Sequence, residues 1–214
     1  MRRAIVVVVL LVIMGGGTMA YLKYHGTNDD AFDAGGRYDN TQLDDMGVIY
    51  VNQSDIYAFN EGYSESENCP WGFPHNGIDY FFSNKSTVIA AAPGLVESVT
   101  VTDNGPDAAN RFHIMVRIRF NATVEVIYNF EPWTDDPAEK DQQLEMIRIE
   151  AGDWVAKGDT IATFLNCGYG AHIHFGVVQD NQWRCPREYL SDEAYNDLMA
   201  LVHTYHPDWN LCYP

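Results

Sequence analysis

Over residues 112–120 the chain alternates. Ile114, Val116, Ile118 and Phe120 fall on one side of an extended strand, with Met115, Arg117 and Arg119 on the other. A helix would scatter that apolar set around its circumference, so the segment is predicted as a strand that buries one face. Asn121-Ala122-Thr123 supplies turn chemistry, and residues 124–130 return as the second arm of a hairpin. Residues 88–92, 95–101, 160–165 and 172–178 are further short β-like runs, bounded by turn residues such as Pro93-Gly94. Many short strands with turn signals predict a mainly β protein, an antiparallel sandwich or open barrel. One helix is predicted, over residues 191–206: Ser191 caps it, Asp192 and Glu193 suit its first turn, and Ala194, Leu198, Leu201, Val202 and Tyr205 form its apolar stripe.

The 214 residues, 46% hydrophobic and 13% aromatic, suffice for one core and exclude wholesale disorder. Thirteen Lys and Arg against thirty Asp and Glu give a net charge of −17, which repels phosphate backbones, so no nucleic-acid partner is expected. At the N-terminus Arg2 and Arg3 precede an apolar run over residues 4–14 and then Gly15-Gly16-Gly17-Thr18-Met19-Ala20. Two readings fit: a secretory signal cut after Ala20, or an uncleaved anchor, because residues 4–22 carry no charge. Both predict an extracytoplasmic protein, secreted or tethered to the membrane through residues 1–22. Residues 23–66 are expected to be an acidic linker with a short strand at 48–51, residues 67–187 the β domain, and residues 188–214 a helical C-terminal extension. Residues 131–148 are polar and are expected to form a surface insertion after a core strand.

Cys69, Cys167, Cys185 and Cys212 form an even set without C-x-x-C spacing, which in an exported chain predicts disulfides rather than a zinc–thiolate site. Three pairings are possible and the sequence does not choose. The pairing expected here joins Cys185 to Cys212 and Cys69 to Cys167.

Two short motifs carry chemistry. His75-Asn76-Gly77-Ile78-Asp79 sets a histidine and a carboxylate four apart around a glycine. His172-Ile173-His174 puts two imidazoles on one face of a strand. Two imidazoles and one carboxylate are a familiar catalytic zinc set that leaves a fourth position open. Alone, an H-x-x-x-D is usually a local hydrogen-bonded pair, and either histidine of an H-x-H can be an ordinary buried imidazole.

Taken in order, the first motif, Ala92-Pro93-Gly94-Leu95-Val96, Gly152-Asp153-Trp154-Val155-Ala156-Lys157-Gly158-Asp159-Thr160-Ile161, and His172-Ile173-His174-Phe175 resemble the lysostaphin/LytM-type zinc endopeptidases. The resemblance runs over residues 69–186. It implies a duplicated-hybrid-motif β fold and cleavage of peptide cross-links in bacterial cell walls. It also implies Zn²⁺ held by His75, Asp79 and His174, with His172 as a catalytic histidine beside the metal.

The pattern departs at one place. A second catalytic histidine is expected in a Tyr-x-His-Leu-like run, and the matching run here is Ile127-Tyr128-Asn129-Phe130. Asn129 can donate a hydrogen bond to an oxyanion but cannot exchange a proton near neutral pH. His113 compensates for Asn129 only if the hairpin register brings it to the same face. Two functions follow from this reading: a zinc endopeptidase acting on a peptide or cell-wall substrate, or a catalytically impaired zinc-binding or regulatory domain. A biotinyl- or lipoyl-type carrier shares related hairpins, but no lysine sits at the expected tip and export opposes that role.

Overall fold

The computed structural model describes residues 42–214. Segment 1–22, where a signal or membrane anchor is expected, and residues 23–41 lie outside the described residues. Among the described residues no helix is long and apolar enough to cross a membrane.

In chain order the elements are β1 (Ile56–Phe59), β2 (Tyr63–Ser64), β3 (Ile78–Phe82), β4 (Thr87–Ile89), β5 (Gly94–Asp103), β6 (Phe112–Arg119) and β7 (Val124–Glu131), then helix α1 (Pro137–Glu145). They continue with β8 (Trp154–Val155), β9 (Thr160–Thr163), β10 (His172–Gln179), β11 (Gln182–Arg184), helix α2 (Asp192–Tyr205) and β12 (Cys212–Tyr213). The main sheet runs β1-β3-β10-β7-β6-β5-β8, with β11 also on β10, and all its pairings are antiparallel. Two small sheets, β4-β9 and β12-β2, complete it. The architecture is mainly β and antiparallel, as the alternation predicts.

The period of two decides which face is which. Along β6 burial alternates strictly, with Phe112, Ile114, Val116 and Ile118 inside. Tyr128 and Phe130 of β7, Ile173 and Phe175 of β10, and Ile78, Tyr80 and Phe82 of β3 share that buried face and pack with Val88, Ile161 and Phe164. Each such side chain contributes roughly 1.5–3 kcal/mol by leaving water. The Tyr128 hydroxyl accepts from Ala91 N at 2.6 Å, so its polar end is satisfied inside the core. The opposite face of β3, β10, β7 and β6 carries the odd- or even-numbered partners that remain, and these include Asp79, His113, Asn129, His172 and His174.

Five expectations need correction, the last of them a cysteine pairing. The acidic linker does not extend to residue 66: Leu43, Met46, Ile49 and Tyr50 are buried in the core, and Tyr50 donates to Asp197 of α2 at 2.5 Å. Widely spaced apolar residues in a polar stretch carry no period, so the packing was hidden. Nor does residues 48–51 form a strand; Tyr50 makes only an isolated bridge to Val88. The 131–148 insertion is not wholly peripheral, because Glu131 ends β7 and is buried. Its remainder holds a second helix, α1, capped by Asp136 (Ala138 N to Oδ1, 2.8 Å) with Pro137 in the first turn. Gln143 ties α1 down from full burial, donating to Thr163 O at 3.0 Å and accepting from Leu165 N at 2.7 Å.

Cys185 and Cys212 form a disulfide, as expected. Cys69 and Cys167 do not; both are free. Cys69 donates to Phe73 O within its own turn, whereas Cys167 lies under Pro132, its amide bonded to Pro132 O. Burial, with Glu139 nearby, pushes the Cys167 thiol up to about 12. Helix α2 forms as predicted, with Ser191 Oγ accepting from Ala194 N and Leu198, Leu201 and Val202 buried.

Candidate metal centre

The two motifs converge on the middle of the main sheet. In β10, His174 lies opposite Asp79 of β3 on one side and Asn129 of β7 on the other. His75 sits just before β3, fixed by an isolated antiparallel bridge in which its amide and carbonyl pair with Ser64. The ligand-type atoms of His75, Asp79 and His174 all lie within 4.8 Å of one another, and among the described residues this is the one such cluster of three. His75 Nε2 is 3.4 Å from Asp79 Oδ1, and His174 Nδ1 is 2.9 Å from the same oxygen.

The surroundings hold these side chains in orientation. His75 donates from Nδ1 to Gly62 O at 2.7 Å, since a carbonyl can only accept, and this turns Nε2 towards the cluster. Gly77 is required by close approach rather than by backbone angle. A Cβ there would lie 2.5 Å from Phe175 O and 2.6 Å from His174 Nε2. Without it, the turn of the first motif seats against β10 and Asp79 reaches His174.

Burial opposes ionisation of Asp79, but hydrogen bonds from His174 and His75 and the neighbouring His172 outweigh it and hold the carboxyl far below the usual range. Burial would likewise lower His75, yet the hydrogen bond and charge of Asp79 prevail and raise it. Glu61 is pushed up to about 7 by burial and then by the adjacent Asp79 charge. An anionic carboxylate flanked by imidazoles is the donor set that suits a divalent cation such as Zn²⁺, so the residues present fit the metal.

His172 lies beside the cluster. Its Nδ1 donates to Gly170 O at 2.7 Å, leaving Nε2 facing Asp79 Oδ2 at 3.6 Å and Glu131 Oε2 at 3.5 Å. Phe81 stacks on its ring at 5.2 Å, and Trp133 approaches at 6.2 Å. Trp133 has φ +61°, an outlying conformation for a bulky residue, and covers a glycine loop; a Cβ on Gly170 would lie 2.5 Å from its indole. Trp133 of the 131–148 insertion thus stands at the site.

Asn129 shares the face and bonds to Glu131 rather than to the cluster. Its amide nitrogen donates to Glu131 Oε1 at 2.6 Å and lies 3.3 Å from His113 Nδ1. The register pairs Asn129 with Met115 and Phe130 with Ile114, so His113 is level with Glu131 rather than with Asn129. Both are on the site face all the same, and His113 Nε2 is 3.5 Å from Glu131 Oε2. Sequence reasoning missed Glu131 and Glu61. A signal for Glu131 was available, because residues two apart on a strand share a face and Asn129 was already placed there. Glu61 is joined to the site only by tertiary contacts.

No family model and no curated protein matches this chain. Among solved structures, the chain is similar to a zinc-containing peptidase from Vibrio cholerae, at 18% identity and TM-score 0.43 over 67% of this chain and 39% of that one. It is similar to Csd3 of Helicobacter pylori, at 18% identity and TM-score 0.46 over 75% and 40% of the two chains. It is also similar to the antimicrobial peptidase lysostaphin from Staphylococcus simulans, at 17% identity and TM-score 0.42 over 70% and 55%. The chain therefore spans about two fifths of the length of the first two and about half of the third.

Proposed function

We propose that this chain is an exported, zinc-dependent hydrolase of peptide bonds, acting on cell-wall or related peptides, with His75, Asp79 and His174 as the metal ligands. The observation that carries the reading is the convergence of three ligand-type atoms within 4.8 Å beside a separately oriented imidazole, His172. Zinc, when bound, supplies Lewis acidity that polarises a carbonyl and makes water nucleophilic near neutral pH.

The chain's own residues do the rest. Gly62 O and Gly170 O each hold one imidazole by its Nδ1–H, so that His75 presents Nε2 to the ion and His172 presents Nε2 to the reacting water. His172 takes a proton at Nε2 from the attacking water and passes it to the leaving nitrogen, a service worth roughly 10²–10⁴-fold. Phe81 and Trp133 flank the His172 ring and keep bulk water from it. Asn129 acts on Glu131, to which its amide nitrogen donates at 2.6 Å.

Asn129 also favours the second reading, a zinc-binding domain that recognises wall peptides or activates other hydrolases without cleaving. Hydrolysis of cross-linked wall peptides by the zinc-loaded full chain, against His172→Ala as control, separates the two. Turnover above the control supports the enzyme; turnover equal to it, with zinc bound, supports the binding domain.

A further inference from the structure

Glu131 is 8% exposed, yet among the described residues no Lys or Arg pairs with it. Its neutral partners are two amides: Asn110 Nδ2 donates to Oε2 at 2.5 Å and Asn129 Nδ2 to Oε1 at 2.6 Å. The imidazoles of His113 and His172 stand at 3.5 Å, beyond hydrogen-bond range, and bring no charge when neutral. A buried carboxylate without a cation is costly, and such groups are ordinarily matched.

A second observation points the same way. The carbonyl oxygens of those two amides, Asn110 Oδ1 and Asn129 Oδ1, are buried with no hydrogen-bond partner. Both amides are fixed in orientation, because a carboxylate can receive only their NH₂ ends. Asn129 itself is 8% exposed and directly opposite metal-cluster residue His174. The site therefore holds a buried carboxyl group with no Lys or Arg partner among the described residues and two acceptors in want of donors, one strand over from His174.

We infer that Glu131, Asn129 and Asn110 form a subsite for a primary ammonium group carried by the substrate close to the bond that is cut. An ammonium brings one positive charge and three N–H donors, matching one carboxylate and two amide oxygens. A hard metal cation such as Ca²⁺ takes six to eight oxygens and fits this set poorly. Neighbouring strands lie about 4.8 Å apart, so a cation here is within reach of a lysine-type side chain next to the scissile carbonyl. The chain's net charge of −17 favours the approach of such substrates. The inference rests on the proposed hydrolase reading for its place in catalysis, but the binding itself does not require turnover.

The test is binding to the full chain at pH 8, followed by the ring-proton resonances of His113 and His172. Three probes are compared: Nα-acetyl-lysine N-methylamide, with a side-chain ammonium; norleucine N-methylamide, with a free α-ammonium; and Nα-acetyl-norleucine N-methylamide, which is neutral. One ammonium probe should bind at least tenfold more tightly than the neutral one, and which of them does so identifies the source of the ammonium. Glu131→Gln should bring the preference to within twofold, and Asn110→Ala should weaken it several-fold with Glu131 retained. Equal binding of all three probes by the native chain overturns the inference, as does an undiminished preference in folded Glu131→Gln. The native comparison stands even if a variant fails to fold. Absence of hydrolysis with the preference intact would defeat the hydrolase reading and leave the subsite in place.

Discussion

Replacing Gly77 by alanine gives the most stringent local test of how the centre is built. The added Cβ would lie 2.5 Å from Phe175 O, 2.6 Å from His174 Nε2 and 2.7 Å from His174 Cε1. Those distances fall roughly 1 Å short of ordinary carbon contact, and one partner is strand backbone that cannot rotate away. Either the 75–79 turn lifts from β10 or the His174 ring swings. Overpacking of this kind costs about 1–3 kcal/mol, which in a chain of this size lowers Tm by roughly 2–12 °C. The larger effect falls on the metal, because ligand positions are tolerated only to about 0.2 Å. Zinc affinity should drop roughly 10–100-fold, the usual result of disturbing the groups that orient a ligand. Competition against a chromophoric chelator measures it. Gly158→Ala is the control: that glycine has φ +88° with nothing within 4 Å of its virtual Cβ, so it should lose stability but keep zinc affinity. If Gly77→Ala binds zinc within twofold of the native chain, the close-approach argument is wrong.

Other outcomes follow from the same geometry. His172→Ala should retain zinc while losing roughly 10²–10⁴-fold in hydrolysis, read as kcat/KM on a wall peptide. In the metal-free chain Asp79 and His75 together should contribute most to stability between the unfolded values of Asp and His, about pH 4 to 6.5. Asp79 is depressed, so its contribution is present above its unfolded pKa and fades as pH falls towards its folded value. His75 is raised, so its contribution is complete below its unfolded pKa and is lost as pH climbs through the folded one. By the same shift, zinc affinity should rise from pH 6 to pH 8, because the ion must displace a proton from His75; isothermal titration in two buffers checks both. Reduction of Cys185–Cys212, separated by 27 residues, should cost about 3–4 kcal/mol on the loop-entropy account and lower Tm by roughly 6–16 °C in a thermal scan.

Much of this could be read from residues alone, and the parts that could not share a cause. The strict alternation of β6 and the i, i+2 spacing of His172 and His174 are local periods, and both motifs land on one face as their parity requires. The H-x-x-x-D turn was legible as a pair but not as a seat: only the fold shows that Gly77 lets the turn touch β10. Glu131 was lost to a polar stretch because the strand end and the loop after it look alike in composition. Asp136-Pro137 starts a helix inside a polar stretch, and α1 has no clear apolar stripe to announce it; Gln143 docks it by hydrogen bonds. Cysteine pairing has no local signal, and an even count misled for Cys69 and Cys167. The condition set for His113 was a register that brings it to the face of Asn129; Met115 lies opposite Asn129, two residues from His113, so the face is shared.

X-ray absorption at the zinc edge on the full chain tests the central claim most directly. One zinc per chain should be found, with nitrogen and oxygen neighbours at about 2.0–2.2 Å, outer-sphere scattering from two imidazoles, and no sulfur near 2.3 Å. Asp79→Ala should abolish the signal. A zinc-free chain, or an ion ligated by the thiolates of Cys69 or Cys167, would contradict the account.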